Sequence, residues 1–140
     1  MLWSQQVKGN QVALAPTEPQ SLVLVQENSL RANYIALATD LEAYLWQESQ
    51  KYNLDYEKLH TLIQKESGWK ETAVGDSGRA FGLAQFWQGT FYGYAKRYGL
   101  YELEYKDPYA QIQLMAKMIA DGQAFNWTAA KGIKSFADKI

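Results

Sequence analysis

The sequence contains no cysteine, which excludes disulfide frameworks, thiol nucleophiles and thiolate metal sites. Histidine is almost absent as well, since His60 is the single example and has no second histidine at ligand spacing. We therefore expect no metal site, and we interpret His60 as a surface or hydrogen-bonded helix residue. The redox state of the compartment stays open, because a chain without cysteine suits reducing and oxidising surroundings alike.

Long apolar runs and a strong net charge are also missing. No run of about 18 or more apolar residues is present, so the sequence predicts no membrane span. Residues 1–8 lack a basic stretch followed by an apolar one, so no signal peptide is recognisable. The formal net charge of -1 gives no attractive field for nucleic acid or an anionic membrane. These absences argue against nucleic-acid and membrane binding.

The composition that is present is that of one soluble globular domain. The 140 residues are 47% hydrophobic, 14% aromatic and 21% charged. We interpret residues 1–28 as a flexible arm or linker, because they mix polar residues with Pro16 and Pro19 around a short apolar run at residues 22–25 that can form one strand-like pairing. The domain itself is expected to span residues 29–140 and to be a monomer.

Helix start and stop signals recur through residues 29–140, so we predict a mainly α fold with at most a small β-hairpin. Residues 69–85 are rich in turn formers and are predicted to be a loop or that hairpin. A last short helix is expected to begin near Asn126. The predicted longer helices are residues 30–52 with a break or kink near Thr39 and a capping box at Thr39 and Glu42, residues 56–67 between Asp55 and Gly68, residues 90–98 between Thr90 and Gly99, and a helix from Asp107-Pro108 to Gly122.

Glu66 is the first candidate for chemistry. Leu59, Ile63 and Glu66 follow one another at i, i+4 and i+7, so the carboxyl is expected on the apolar face of its helix. Lost hydration and the negative end of the helix dipole both raise the pKa of such a carboxyl, as a general acid for glycosidic cleavage requires. The alternative is a carboxylate that reaches water or a basic neighbour, and the spacing alone favours this alternative.

Several motifs in order resemble the soluble lytic transglycosylase family, the peptidoglycan-cleaving branch of the lysozyme-like superfamily. That family reads approximately Glu-Ser, Asn-Ala-Val-Ser, Gly-Ala-x-Gly-Leu-Met-Gln, a later Thr, and Asp-Pro-x-x-Asn-Ile. The resemblance covers about residues 35–120 and implies an α+β lysozyme-like fold with the active-site cleft beside the hairpin. The matching segments are Glu66-Ser67, Ala73-Val74, Gly82-Leu83-Ala84-Gln85, Thr90, and Asp107-Pro108 with Gln111-Ile112.

The resemblance also implies roles for individual residues. Glu66 corresponds to the single catalytic acid and base, and Ser67 to a serine that holds backbone near that carboxyl. Gly82, Leu83 and Gln85 correspond to the segment that lines the cleft, where glycine permits close approach of backbone to a sugar chain. The implied substrate is a peptidoglycan glycan strand, and its own 6-hydroxyl attacks to give a 1,6-anhydro product without a cofactor. Such a substrate implies action outside the cytoplasm, in the periplasm, the cell wall or a phage particle.

The sequence departs from the family pattern at several points. Ala84 replaces a methionine, and the loop after Val74 is one residue longer. The family's later Ala-Tyr-Asn-Ala-Gly segment, whose tyrosine sits beside the acid, has no counterpart at residues 126–130. The partner of Glu66 is therefore open, with candidates at Tyr92, Tyr94 and Tyr109.

Asp76 and Ser77 are further candidate substrate contacts. Asp76 can position a water, as in inverting glycosidases, or it can bond local amides in an Asp-Ser-Gly turn. The turn is the better interpretation, because the resembled family needs no second carboxylate. Arg79 can grip an acidic peptide stem or pair with Asp76. Most aromatic residues are expected in the core. Phe86 or Trp87 is predicted to face the cleft and to stack on a sugar, because both directly follow Gln85.

Two alternative functions stay open beside the transglycosylase. One is a peptidoglycan hydrolase similar to goose-type lysozyme, which uses a water placed by Asp76. The other is a non-catalytic glycan-binding or structural module of a phage tail or secretion apparatus. The intact Glu66 argues against the second, because a binding module has no need of a desolvated acid.

Overall fold

The structure of the protein is a computed structural model that describes residues 26–28 and 39–137. The chain divides into two units, residues 1–38 and 39–140, and the second contains the elements named below. Residues 26–28 are helical. The rest of the predicted arm, with its strand-like run at residues 22–25, lies outside the described residues, as does the predicted helix over residues 30–38.

The described part of the second unit contains four α-helices, which are α1 (Asp40–Lys51), α2 (Tyr56–Ser67), α3 (Gln88–Arg97) and α4 (Pro108–Ala120). Thr39 and Glu42 form the predicted capping box at the start of α1. Asp55 accepts a hydrogen bond from the Lys58 backbone N–H at the start of α2, and Gly68 ends that helix at φ 61°. These local predictions are confirmed.

The predicted start of α3 is wrong. Thr90 does not cap the helix but lies in its first turn, because α3 begins two residues earlier at Gln88. The preceding residue, Trp87, ends a β-strand and provides no side-chain cap. The start of α3 is therefore set by the end of the sheet rather than by a capping side chain. Gly99 follows the helix at φ 71°, in line with its predicted role as a stop.

Residues 74–87 form a small antiparallel sheet with strand order β1-β2-β3, in place of a single hairpin. The strands are β1 (Val74–Gly75), β2 (Ala80–Phe81) and β3 (Phe86–Trp87). Val74 pairs with Phe81, and Ala80 pairs with Trp87. The chain reverses between β2 and β3 through Gly82 at φ 84° and Gln85 at φ 50°. The prediction of a mainly α fold with a small amount of β structure is confirmed.

Helix α4 is the centre of the core. Eight of its 13 residues are buried, and α1 and α3 both pack against it. Helix α2 packs against α1 and contributes Leu59, Leu62 and Ile63 to the same core. Each fully buried large apolar side chain stabilises the fold by about 1.5–3 kcal/mol. The expected last helix is replaced by two 3₁₀ segments, Ala124–Asn126 and Thr128–Gly132, and the second packs against α2.

Within residues 26–28 and 39–137, no helix combines the length and the apolar character that crossing a bilayer requires.

Candidate active site

Glu66 lies in the last turn of α2, on the face that Leu59 and Ile63 bury completely. Its side chain is half-buried. Burial raises the pKa of the Glu66 carboxyl, while a hydrogen bond with the Ala129 backbone acts in the opposite direction, and the net shift is upward. The carboxyl therefore favours its protonated form to a higher pH than an exposed glutamate does.

The helix end that carries Glu66 is held in place by neighbouring contacts. The Ser67 hydroxyl donates to the Ile63 carbonyl at 3.2 Å, within the same helix. The Nε2 atom of His60 lies 2.9 Å from Oε1 of Glu42, which joins α2 to α1. The centroids of the His60 and Trp69 rings are 4.7 Å apart, with the ring planes inclined at 38°. This hydrogen bond to His60 is the main cause that lowers the pKa of Glu42. His60 is thus a hydrogen-bonded helix residue, as expected.

Gln85 braces the turn between β2 and β3. Its Nε2 donates to the Ala73 carbonyl at 3.0 Å and to the Gly82 carbonyl at 2.8 Å. Its Oε1 lies so close to Gly75 that a Cβ atom on Gly75 would overlap it. The amide therefore ties the sheet together, and its predicted contact with substrate or with Glu66 remains a prediction.

Gln111, one of the buried residues of α4, is a site residue whose role the sequence reasoning missed. Its Oε1 accepts from the Ala84 N–H at 3.0 Å, and its Nε2 donates to the Phe81 and Tyr105 carbonyls, each at 2.9 Å. A Cβ on Gly82 would overlap the Gln111 amide. Glycine at position 82 is thus required by the close approach of Gln111, and the predicted approach of a sugar to this backbone remains a prediction. The available signal was a polar residue among apolar ones in α4.

Trp127 holds the same turn from the other side. Its indole N–H donates to the Ala84 carbonyl at 2.8 Å, and its ring packs edge-on against Phe86 with centroids 5.4 Å apart. The side chain is buried. Sequence reasoning gave Trp127 no role, because no local pattern marks a tryptophan that bonds a carbonyl 43 residues away.

Two neighbouring cavities run along α3 from the braced turn. The first has a volume of about 200 Å³, and its lining includes Gln85, Trp87 and Trp127. The second has a volume of about 270 Å³ and includes Tyr94 and Arg97 in its lining. Thr90 and Asn126 line both cavities, which are therefore adjacent and are together called the α3 groove below. Glu66 is not among the residues that line these two cavities. Its carboxyl forms a hydrogen bond with the backbone of Ala129, which lies two positions after the groove residue Trp127 in the sequence.

The predicted aromatic and apolar contacts divide into buried and exposed residues. Leu83 has no exposed surface, and Phe86 is only 3% exposed although it belongs to the lining of the first cavity. Trp87 is 45% exposed and lines the groove. The Tyr92 hydroxyl accepts from the Tyr105 N–H at 3.3 Å, and Tyr92 does not line either cavity of the groove.

The three candidate tyrosine partners of Glu66 also occupy different places. Tyr94 lies in the α3 groove, where its hydroxyl donates to Gln123 Oε1 at 2.9 Å and accepts from Asn126 at 3.3 Å. Tyr109 packs edge-on against Tyr44 at the start of α4. Of the three candidates, Tyr94 is the one that the structure brings to the groove.

Asp76 and Ser77 occupy an exposed turn between β1 and β2. Both adopt left-handed backbone conformations, with φ of 50° and 56°. Arg79 donates through Nη2 to Asp76 Oδ1 at 3.1 Å and through Nε to the Asp76 carbonyl at 3.2 Å. The Arg79 guanidinium also lies 4.6 Å from the Trp87 ring centroid. Asp76 thus lies in a turn, as predicted, and its carboxylate pairs with the Arg79 side chain in place of the expected local amides.

Comparison with known proteins identifies one family. A family model described as the transglycosylase SLT domain matches residues 43–126, a range that contains Glu66, the three-stranded sheet and most of the α3 groove. Searches of curated proteins and of solved structures gave no significant match.

Proposed function

The chain belongs to the transglycosylase SLT domain family, and we propose that it is a lytic transglycosylase of peptidoglycan. In this proposal it cleaves the β-1,4 bond between N-acetylmuramic acid and N-acetylglucosamine, with Glu66 as the single general acid and base. The observation that carries the proposal is the half-buried Glu66 with its raised pKa, at a helix end within the matched range. A carboxyl with a raised pKa keeps its proton to a higher pH and is therefore better suited than an exposed glutamate to protonate a leaving group.

The proposed reaction uses Glu66 twice. Its protonated carboxyl donates the proton to the glycosidic oxygen, and the bond from that oxygen to C1 of the muramic sugar breaks. The resulting carboxylate takes the proton from the C6 hydroxyl of the same sugar, and the C6 oxygen bonds to C1. The products are a free 4-hydroxyl on one strand and a 1,6-anhydro end on the other. Glu66 returns to its protonated form, and neither water nor a cofactor is consumed.

The α3 groove is the proposed binding site of the glycan strand. The exposed Trp87 ring offers a surface on which the C–H face of a sugar can stack. Thr90, Asn126 and Arg97 add hydrogen-bonding groups along the groove. Gln85 is retained as a proposed substrate contact, and Tyr94 is the candidate tyrosine that the groove favours. Ser67 is proposed to steady the backbone that carries Glu66.

Because family members act on peptidoglycan, we place the proposed activity outside the cytoplasm, in the periplasm, the cell wall or a phage particle.

The pairing of Asp76 with Arg79 in an exposed turn supports transfer to the substrate's own hydroxyl over attack by a water that Asp76 would place. Asp76→Asn is accordingly expected to keep close to wild-type activity.

The test compares two matched substitutions on α2 in digestion of purified peptidoglycan. Glu66→Gln removes the acid without changing its size, and activity is expected to fall by at least about 100-fold, the usual contribution of a general acid. Glu57→Gln makes the same change at an exposed position in the first turn of the helix and is expected to retain wild-type activity. Wild-type activity in the Glu66 variant would refute the assignment.

A further inference from the structure

Ala84 is held through both of its backbone polar groups by side chains from distant parts of the chain. Its N–H donates to Gln111 of α4, and its carbonyl accepts from the indole of Trp127. Ala84 has no exposed surface, so neither group is free to exchange its partner for bulk water. The two side chains therefore fix the middle of the Gly82–Gln85 turn.

Trp127 also begins the segment that reaches Glu66. The 3₁₀ segment Thr128–Gly132 follows directly and packs against α2. Within it, the Ala129 backbone makes the hydrogen bond that opposes the upward pKa shift of Glu66. Only Thr128 thus lies between the residue whose indole is anchored on the turn and the residue whose backbone contacts the carboxyl.

We infer that Trp127 is a positioning residue. Its hydrogen bond to the Ala84 carbonyl holds the Ala129 backbone against Glu66 and thereby fixes the position of the Glu66 carboxyl relative to the Gly82–Gln85 turn. The role for catalysis rests on the function proposed above, whereas the geometric coupling does not. The indole suits this task because it is buried, packs against Phe86 and acts only as a hydrogen-bond donor.

The expected size of the effect follows from the hydrogen bond and from the geometry of reaction. Without the indole N–H, the Ala84 carbonyl stays buried and unpaired, a state that costs about 1–3 kcal/mol and favours a shift of the segment. A displacement of about 1 Å at a reacting group can reduce the rate by up to about 100-fold. We expect a loss of about tenfold in kcat.

The test uses the variants Trp127→Phe and Trp46→Phe. Both lose an indole N–H, but Nε1 of Trp46 has no hydrogen-bond partner among the described residues, so Trp46→Phe controls for the loss of ring size. Trp127→Phe is expected to lower kcat about tenfold on glycan strands with KM within about twofold, and Trp46→Phe to change neither by more than about twofold.

A second measurement does not depend on turnover. The Glu66 carboxyl is titrated by NMR in the wild type and in both variants. In Trp127→Phe the pKa of Glu66 is expected to rise further, because the opposing hydrogen bond with Ala129 weakens, whereas Trp46→Phe leaves it unchanged. If Trp127→Phe does not fold, benzothienylalanine at position 127 keeps the bicyclic shape and lacks only the donor.

The outcomes separate this inference from the proposed function. Equal kcat and equal Glu66 titration in the two variants would overturn the positioning role, even if the wild type cleaves peptidoglycan as proposed. A Glu66 titration that moves only in Trp127→Phe, in a protein that cleaves no glycan, would support the coupling and refute the transglycosylase.

Discussion

Replacing Gln111 with leucine tests whether this side chain organises the turn beside the candidate site. Leucine has a similar size and suits a position with 1% exposure, but it cannot form any of the three hydrogen bonds that Gln111 makes. The Ala84 N–H and the Phe81 and Tyr105 carbonyls then lose a partner. At about 1.5 kcal/mol for each group, the loss is about 4.5 kcal/mol.

Burying the leucine side chain offsets about 1.5 kcal/mol of that loss. The expected net destabilisation of Gln111→Leu is therefore about 3 kcal/mol, which corresponds to a fall in Tm of about 12 °C or more for a domain of this size. Urea unfolding is the assay, with an unchanged m value as evidence that only the folded state is affected. The Ala84 amide is also expected to exchange its hydrogen faster.

Gln113→Leu is the matched control, because it makes the same change on the same helix. Gln113 is partly buried, and the hydrogen bond that it accepts from Tyr44 is long, at 3.4 Å. Its loss is expected to cost less than about 1 kcal/mol. Equal unfolding free energies for the two variants would refute the view that Gln111 organises the turn.

Two further predictions concern Gly82 and Glu66. Gly82→Ala is expected to lower the free energy of unfolding by about 3 kcal/mol, and Gly99→Ala by about 1 kcal/mol. Both glycines have positive φ, but a Cβ at position 82 also overlaps the Gln111 amide. In a double-mutant cycle, the difference between the two substitutions should vanish when Gln111 is alanine. Burial raises the pKa of Glu66, so the stability linked to its protonation is present below the unfolded value and lost as pH rises through the folded pKa. In thermal melts the Tm of Glu66→Gln should therefore be higher than that of the wild type at pH 8 and equal to it below about pH 4. Because the pKa of Glu42 is lowered, Glu42→Gln should instead have a lower Tm than the wild type at pH 8. Changes in Tm of the same sign for the two variants would contradict the reasoning.

Features of the fold that depend on neighbouring residues in the sequence could be predicted. The Thr39 capping box, the Asp55 cap and the Gly68 stop involve groups within about one helical turn, so a short stretch of sequence contains both partners. Helical periodicity likewise placed Glu66 on the buried face. Thr90 failed as a cap because the preceding β-strand, rather than local chemistry, determines where α3 begins.

The contacts that hold the candidate site could not be predicted in the same way. Gln111 bonds Ala84 across 27 residues, and Trp127 bonds it across 43. Their partners are backbone groups, which every residue carries and which leave no mark in the sequence. The contact of Glu66 with Ala129 is of the same kind, which explains why a search among tyrosine side chains did not reveal it.

The central claim is that Glu66 catalyses transfer of C1 of the muramic sugar from the glycosidic oxygen to the C6 hydroxyl of the same sugar. Its most direct test is digestion of peptidoglycan by the wild-type protein in water labelled with heavy oxygen, followed by mass spectrometry of the fragments. The proposed reaction gives 1,6-anhydro ends, lighter than hydrolysis products by one water, with no label incorporated. Reducing ends that contain one labelled oxygen would contradict the account and identify a hydrolase.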